Sequence, residues 1–295
     1  MFNGFDLSTI QDAKFGNSQV SSIYYGANLI WPTTPPPHDY SHDYLTIVSL
    51  EDNNNIYFKV GTITQDILTI YVSVDDGLTW VSKTPYYTSG DYEIKLGTLN
   101  TNDKILIKGN NLSYSPYSSS GRTTHYFECT KQYNIEGNIL SLMYGDNFIS
   151  TTPGTLSDYA FQYLFCRVKV PLSDPTFGAN TNLISAENLI LPNVVGNGCY
   201  SHMFKQCTAL TIAPVLPASI LKTACYGSMF SGCSSLGYIK CLATDISAAA
   251  CTTGWCGNSN YHQFSSSGTF VKAASMTSWT RGTSGIPSGW TVINN

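Results

Sequence analysis

Residues that could do chemistry are few in this sequence, and they lie far apart. His38 and His42 are four residues apart, a spacing that suits a zinc ion when both lie on one helix. Residues 35–37 are all proline, so no helix is expected beside them, and no third ligand is evident. We therefore predict a solvated, semi-rigid linker here and no metal site.

A catalytic thiol would need a histidine partner, and Cys199 has His202 three residues further on. The same segment recurs 26 residues later, with Ser228 where the histidine would stand. Positions that change between copies of a repeat behave as variable surface positions. We therefore predict no catalytic cysteine.

The stretch SVDDGLTW, residues 73–80, matches the Asp-box pattern Ser-x-Asp-x-Gly-x-Thr-Trp, which is known from sialidases. Asp76 and Gly77 form a strong hairpin-turn dipeptide, because glycine adopts positive φ at no steric cost. We predict that Asp75 accepts hydrogen bonds from the turn amides. Thr79 and Trp80 should start the returning strand, with Trp80 packed over the hairpin.

Sialidase chemistry also needs a cluster of arginines around the substrate carboxylate. The arginines of this chain, Arg122, Arg167 and Arg281, lie in three unrelated segments. In sialidases the box is itself structural and lies away from the active site, and here it occurs once without a repeated blade. The motif therefore predicts a structural turn and no active site.

A glycosidase would need two carboxylates facing one cleft, about 5 to 10 Å apart. The second half of the chain has few acids, notably Asp174, Glu187 and Asp245, and none recurs with the repeat described below. Glycosidase activity is therefore a remote alternative, and we expect neither an enzyme nor a cofactor.

The composition is typical of β-rich extracellular or fibre-type proteins. Of 295 residues only 12% are charged, where roughly 25% is usual, and the net charge of −4 gives no basic surface for nucleic acid. No apolar run reaches the roughly 18 residues of a membrane span. The start, MFNGFDLSTIQDAKFG, lacks the pattern of a signal peptide, so we expect assembly in a reducing cytoplasm and nine cysteines without disulfides.

Composition and periodicity predict four segments. Residues 1–33 end in a small docking hairpin around residues 26–28, and residues 34–43 form the proline-rich linker. Residues 44–150 alternate apolar and polar side chains, as in ILTIYVSV and DKILIKGN, which predicts an antiparallel β-sandwich-like domain. Residues 151–295 contain a repeat and a C-terminal cap.

The strongest pattern is a repeat of 26 residues. CYSHMFKQCTAL (199–210) and CYGSMFSGCSSL (225–236) share C-Y-x-x-M-F-x-x-C-x-x-L, a third copy starts at Cys251 with Trp255 at the methionine position, and AFQYLF (160–165) is a worn earlier copy. This period indicates a leucine-rich-repeat solenoid. Side chains four residues apart are predicted to line one side of a short helix in each unit. The predicted repeat core comprises Cys199, Tyr200, Met203, Phe204, Cys207, Leu210, Cys225, Tyr226, Met229, Phe230, Cys233 and Leu236.

Equivalent cysteines of stacked units should form internal ladders of small buried side chains. Disulfides and metal ligation are the alternatives. The odd number of cysteines argues against complete pairing, and the spacing of eight between Cys199 and Cys207 differs from the C-x₂-C pairs of zinc sites. Each unit is also expected to add one strand to a shared parallel sheet. The tail should cap the last unit with Phe270, Trp279, Ile286 and Trp290.

The predicted fold is therefore multi-domain. A mainly β N-terminal part, a small hairpin plus an antiparallel β-sandwich, precedes a short leucine-rich-repeat α/β solenoid with a C-terminal cap. The two clean units resemble BspA-type leucine-rich repeats, which are common in surface proteins of gut bacteria and their phages. GIPSGWTV (285–292) resembles the close of such arrays, and IYYGANLIWP (23–32) resembles an element at the front of phage virion and tail-associated proteins.

The resemblance implies a virion structural protein of a tailed phage of the crAss-like gut type, acting as head fibre, tail fibre or capsid decoration. A bacterial cell-surface adhesin with the same repeats is the alternative. The hairpin would dock on another capsid or tail protein, unless Trp31 packs on the chain's own sandwich instead. The predicted docking residues are Tyr24, Tyr25, Leu29, Ile30 and Trp31.

The repeat strands would present Thr211, Tyr238 and Lys240 to host-surface or gut glycans. Tyrosine rings offer stacking faces for sugars, while hydroxyl groups offer hydrogen bonds. A homo-oligomer, dimer or trimer, is expected because closed symmetry multiplies weak contacts.

Overall fold

The chain forms two compact units, Met1–Asp39 and Tyr40–Asn295. The prediction of a mainly β protein is confirmed, since strands dominate both units. Besides four short strands between residues 14 and 31, the computed structural model describes residues 38–61, 67–88, 91–118, 121–168, 177–257 and 264–295.

The N-terminal unit contains two small antiparallel pairs of strands. Strands β1 (Lys14–Phe15) and β2 (Ser18–Gln19) form the first pair, and β3 (Ile23–Tyr25) and β4 (Asn28–Trp31) form the second. Tyr25 lies opposite Asn28, so the backbone forms the hairpin that the sequence predicts. The side chains of the predicted docking residues lie outside the described part of the chain.

The larger unit starts with a 3₁₀ turn at Tyr40–His42. After the strands of its first part comes α1 (Ser141–Tyr144), followed by a second 3₁₀ turn at Gly145–Asn147. The strands before α1 are β5 (Leu45–Ser49), β6 (Asn54–Val60), β7 (Ile70–Ser73), β8 (Val81–Lys83), β9 (Tyr86–Thr88), β10 (Asp91–Leu99), β11 (Lys104–Gly109), β12 (Tyr117–Ser118), β13 (Gly121–Arg122), β14 (His125–Cys129) and β15 (Tyr133–Asn138). The strands after it are β16 (Arg167–Val168), β17 (Phe177–Gly178), β18 (Leu183–Ile190), β19 (Tyr238–Cys241), β20 (Thr269–Lys272) and β21 (Thr291–Asn294).

Two sheets face each other in the first part of this unit. One has the strand order β14-β6-β10-β9, and the other has the order β18-β15-β5-β11-β7-β8. Strand β6 shows how the sequence builds them, because Ile56, Phe58 and Val60 are buried while the residues between them are half-buried. Across the core, the side chain of Ile105 on β11 lies beside Gly97 on β10.

The sandwich and the repeat share one sheet. Strand β18 pairs in parallel with β15, and single bridges then join Ser185 to Ile212 and Ile212 to Tyr238. From Tyr238 the parallel pairing continues through β19, β20 and β21. The outer edge of β15 thus serves as the template for the first repeat strand, since an open edge presents a row of N–H and C=O groups.

The larger compact unit runs without division from Tyr40 to Asn295. The division falls after Asp39, and Asn138 donates a hydrogen bond to the Ser41 carbonyl in the predicted linker, at 2.9 Å. Buried side chains from both sides of residue 150 belong to one continuous core.

The repeated segments are successions of turns, so the prediction of short helices is wrong. In the first clean unit Gly198, His202 and Gln206 have φ values of 60°, 60° and 63°, one left-handed residue in every four. An α-helix tolerates no such residue in its interior, since left-handed backbone costs L-residues energy. The four-residue period nevertheless keeps side chains i and i+4 on the same side, which is why the spacing resembles that of a helix.

Hydrogen bonds between backbone groups hold these turns in register. Within a unit, the N–H of Met203 donates to the carbonyl of Tyr200 (3.1 Å). Between units, the N–H of Phe204 donates to the carbonyl of Met229 (3.0 Å). The N–H groups of Tyr200 and His202 likewise donate to carbonyls 25 residues further along the chain. In this segment every second amide therefore finds its acceptor in the neighbouring unit, so stacking satisfies backbone groups that one unit alone would leave unpaired.

The C-terminal tail closes the stack, as the sequence predicts, and also extends its sheet through β20 and β21. The Trp279 ring lies parallel to the Trp255 ring, with centroids 5.5 Å apart and planes at 1°. Trp255 also donates its indole N–H to the carbonyl of Gly285 (2.8 Å). Within the described residues, no helix has the length and apolar character needed to cross a bilayer.

Candidate functional site

Two columns of aromatic rings run through the larger unit, from Phe58 in the sandwich to Trp255 in the last repeat. Successive ring centroids are between 5.2 and 6.3 Å apart, a distance at which offset stacking is favourable. The first column is Phe58, Tyr114, Phe161, Tyr200, Tyr226 and Trp255. The second column is Phe58, Phe127, Phe165, Phe204, Phe230 and Trp255.

The columns place the irregular copies of the repeat as the sequence predicts. Phe161 and Phe165 of the worn copy stack on Tyr200 and Phe204 of the first clean unit, at 5.8 and 5.5 Å. Trp255 at the methionine position of the third copy lies under both columns, so one large ring closes two stacks.

The predicted core of the repeat is fully buried, with 0% exposure for each of its twelve residues. All nine cysteines are buried free thiols. Burial raises the pKa of the Cys199 and Cys207 thiols well above the ordinary range, so these side chains stay neutral. The cysteines therefore act as small packing residues, and the thiol of Cys233 donates to the Phe204 carbonyl at 3.1 Å.

Removing the hydroxyl groups of Tyr200 and Tyr226 should stabilise the protein. Both groups are buried and have no hydrogen-bond partner among the described residues, and Phe161 fills the equivalent place without one. Each Tyr→Phe substitution should raise the free energy of unfolding by about 1 kcal/mol, since an unsatisfied buried hydroxyl is costly. Urea denaturation measures the change.

Tyr133→Phe is the matched control, because the Tyr133 hydroxyl accepts a hydrogen bond from Asn180 at 3.0 Å. This substitution should lower the free energy of unfolding by about 1 kcal/mol. If Tyr200→Phe and Tyr133→Phe destabilise equally, the repeat hydroxyls have partners and the interpretation fails.

His202 lies beside a serine hydroxyl. Its Nδ1 lies 2.7 Å from Ser201 Oγ, and the Ser201 hydroxyl is also 3.1 Å from the carbonyl of Gly227. The ring lies 4.8 Å from that of Tyr163, and burial lowers the pKa of His202 to about 3.

The predicted ligand surface is brought together in part. Tyr238 and Lys240 are two residues apart on β19, both half-buried, and so lie on the outer face of the parallel sheet. Thr211 is exposed and directly precedes Ile212, the residue that bridges to Tyr238 in the sheet. The Thr211 hydroxyl donates to the carbonyl of Ile184 at 2.9 Å. Tyr238 and Lys240 therefore share a sheet face with their neighbours on β20 and β21, and ligand binding there stays a prediction.

The Asp box forms the turn that the sequence predicts. Strands β7 and β8 pair with Val72 opposite Val81, and Asp76 and Gly77 have φ values of 55° and 86°. The Asp75 carboxylate accepts hydrogen bonds from the Ser73 hydroxyl (2.6 Å) and from Thr79. Thr79 donates both its N–H (2.9 Å) and its hydroxyl (2.6 Å). These bonds lower the pKa of Asp75 to about 2, with the Ser73 hydroxyl as the largest cause.

Asp75→Asn should therefore destabilise the protein in a way that depends on pH. A lowered folded-state pKa contributes stability that is present above the ordinary value of 3.8 and is lost as the pH falls through about 2. The gap in thermal midpoint between wild type and variant should be constant from neutral pH to about 4 and shrink below it. Asp76→Asn is the control and should leave the midpoint nearly unchanged, since asparagine tolerates positive φ. A gap that stays the same down to pH 2 would contradict this role of Asp75.

The other candidates for catalysis are held apart or already paired. Arg167 contacts Glu128 at 3.2 Å, and Arg281 donates to the carbonyls of Pro287 and Trp290. Asp245 accepts the N–H of Ser247 on an exposed turn. Asp174 and the side chain of Arg122 lie outside the described part of the chain, and the backbone N–H of Glu187 donates to the Ser185 hydroxyl at 3.2 Å. Among the described residues, no group of three or more His, Cys, Asp or Glu side chains is placed to hold a metal ion.

One carboxylate pair was missed by sequence reasoning, because its members lie on β10 and β14, the two strands that flank β6 in the four-stranded sheet. Glu93 and Glu128 both contact Lys59, which lies between them on β6, at 2.7 and 3.3 Å. Burial opposes the charge of Lys59, but the two carboxylates outweigh it and raise the pKa of this lysine. Both carboxylates are therefore engaged with a cation on an open sheet face, an arrangement that suits a structural ion pair.

Comparison with protein families, characterised proteins and solved structures finds no match for this chain.

Proposed function

We propose that this protein is a non-catalytic structural protein of a tailed-phage virion, a head fibre, tail fibre or capsid decoration. Its 26-residue units would form a short BspA-like leucine-rich-repeat solenoid that displays its outer sheet face to host-surface or gut glycans. The N-terminal hairpin would attach the chain to other capsid or tail proteins.

The observation that carries the proposal is the pair of aromatic columns. The columns link Phe58 to Trp255 through one core. The cysteines of this core are buried free thiols, and backbone N–H groups of each repeat unit donate to carbonyls of the next unit. Such an arrangement favours a rigid scaffold over a cleft that must open and close. The compact unit Met1–Asp39 at the N-terminus supports a role in attachment.

The outer face of the parallel sheet supports the display of polar ligand contacts. This face presents Tyr238 and Lys240 of β19. Thr269 on β20 pairs with Tyr238, and Thr291 on β21 pairs with Thr269. A tyrosine ring and two hydroxyl groups at strand spacing suit the stacking and hydrogen-bonding surfaces of sugars.

Mass spectrometry and cryo-electron microscopy of purified phage particles whose genome encodes the chain test the virion role. The protein should be present in a fixed ratio to the major capsid or tail protein. Trp31→Ala together with Leu29→Asp, introduced in the full-length chain, should reduce incorporation without changing the thermal midpoint of the larger unit. Particles that lack the protein, while host envelopes contain it, would favour the bacterial surface adhesin.

A further inference from the structure

A groove of about 580 Å³ opens on the outer face of the six-stranded sheet, beside the Asp-box hairpin. Its size falls within the range of small-molecule sites, roughly 300 to 1,000 Å³. The walls are the hairpin on one side and the turn after α1 on the other. Residues that line it include Tyr71, Trp80, Lys108, Asn110, Tyr144 and Asp146.

The floor of the groove is set by strand register. Tyr71 on β7 lies directly opposite Lys108 on β11, so both side chains project from the same face. Tyr71 is 36% exposed, and Trp80 and Tyr144 are half-buried, so each ring offers surface to a ligand. Trp80 directly follows Thr79, whose N–H and hydroxyl donate hydrogen bonds to the Asp75 carboxylate. The Asp-box turn therefore positions the Trp80 indole.

Lys108 and Asp146 are the charged residues of the lining, and they neutralise each other. Lys108 Nζ lies 2.6 Å from Asp146 Oδ1, which also accepts the Tyr44 hydroxyl at 2.8 Å. Lys108 Nζ also lies 3.9 Å from the centre of the Trp80 ring, a cation–π contact. The hydrogen bonds from Lys108 and Tyr44 lower the pKa of Asp146, so its carboxylate stays ionised at neutral pH.

We propose that this groove binds a neutral saccharide chain. The tyrosine and tryptophan rings would pack against the C–H faces of the sugar, while the Asn110 amide and the 65% exposed Asp146 carboxylate would bond its hydroxyl groups. An anionic ligand would find its one cation already paired, so an uncharged sugar is preferred. The Asp box then has a task beyond the turn, that of positioning Trp80. The inference goes beyond the display role and does not depend on the virion assignment.

Indole N–H resonances of the full chain test the site, since Trp80 is one of five tryptophans and Trp80→Phe assigns its signal. The probes are lactose, maltotriose and triacetylchitotriose, with 3′-sialyllactose as the acidic counterpart of lactose. At least one neutral probe should shift the Trp80 resonance with a Kd of about 1 mM, and leave Trp255 and Trp279 unmoved. 3′-Sialyllactose should bind more weakly than lactose.

Two substitutions sharpen the test. Tyr71→Ala should weaken binding about tenfold, whereas Tyr86→Ala, which removes a 60% exposed ring from β9 in the other sheet, should leave it unchanged. Asp146→Asn should raise the affinity for 3′-sialyllactose relative to lactose, because it leaves Lys108 without its counter-charge. Thermal midpoints near that of wild type confirm that the variants are folded.

The proposal is overturned if none of the neutral probes moves the Trp80 signal at about 50 mM, or if Tyr71→Ala and Tyr86→Ala behave alike. A saccharide whose binding responds to substitution of Tyr238 but not of Tyr71 would move the site to the repeat face. In that case the display function would stand and the groove proposal would fail.

Discussion

Replacing Phe204 by alanine should lower the free energy of unfolding by about 3 to 5 kcal/mol, the usual range for a buried phenylalanine. The ring is 0% exposed and lies between Phe165 and Phe230, with centroids 5.5 and 5.8 Å away and planes at 7° to both. Each neighbour is fixed by backbone hydrogen bonds to the adjacent unit, so the stack cannot collapse into the cavity. Urea denaturation of wild type and variant measures the loss.

Tyr86→Ala is the matched control, because it removes an aromatic ring that is 60% exposed. It should change the free energy of unfolding by no more than about 0.5 kcal/mol. A loss of less than about 1 kcal/mol for Phe204→Ala would mean that the column contributes little to stability.

The same substitution also tests whether the sandwich and the repeat unfold together. The column passes from Phe204 through Phe165 to Phe127 and Phe58, and β15 pairs with β18 across the predicted boundary. Amide hydrogen exchange in β6 and in the repeat turns should therefore rise together in the variant. Faster exchange confined to the repeat would show two independent cores.

The register of the repeat could be predicted from sequence, because it depends on which side chains recur. The 26-residue spacing of Cys199, Cys225 and Cys251 gives the stacking partners directly, and even the worn copy AFQYLF takes its expected place. The conformation of each unit could not be predicted in the same way. A turn ribbon with one left-handed residue in four and an α-helix present nearly the same side-chain period.

Contacts between distant segments account for the rest of what sequence reasoning missed. The Asp-box turn is local, and its hydrogen bonds join residues at most four apart, so the motif was sufficient to predict it. The groove beside it depends on Tyr44 and Asp146, which are 102 residues apart, and on Lys108, 38 residues before Asp146. None of these three residues belongs to a motif, and only the fold brings them together.

Acidification below pH 6.5 should destabilise the protein through His125. His125 is 0% exposed, and its ring stacks on Phe58 at 5.4 Å. Its Nε2 accepts the N–H of Leu68 at 3.1 Å, which leaves the proton on Nδ1, 3.3 Å from the carbonyl of Tyr114. A second proton on Nε2 would face the Leu68 N–H in a dry core. Burial accordingly lowers the pKa of His125 to about 4 from 6.5.

The lowered pKa of His125 determines how the free energy of unfolding changes with pH. Between pH 6.5 and about 4, His125 is protonated in the unfolded chain but stays neutral in the folded protein. The free energy of unfolding therefore decreases as the pH falls through this window. The full loss is on the order of 3 kcal/mol, of which about 2 kcal/mol should appear by pH 5. Urea unfolding at pH 8, 6, 5 and 4.5 measures it.

His125→Gln isolates this contribution, because glutamine can accept and donate hydrogen bonds but cannot take up a proton. The variant should be less stable than wild type at pH 8, since the stacked ring is lost, and should lose about 2 kcal/mol less between pH 8 and pH 5. His202, whose pKa is about 3, adds a loss of the same sign and of similar size, about 2 kcal/mol by pH 5, which both proteins share, so the difference between them isolates His125. Phe58 is the first ring of both aromatic columns and stacks on His125. Protonation of His125 should therefore weaken packing at the sandwich end of both columns. Equal slopes in wild type and His125→Gln would remove His125 as the acid-sensitive group.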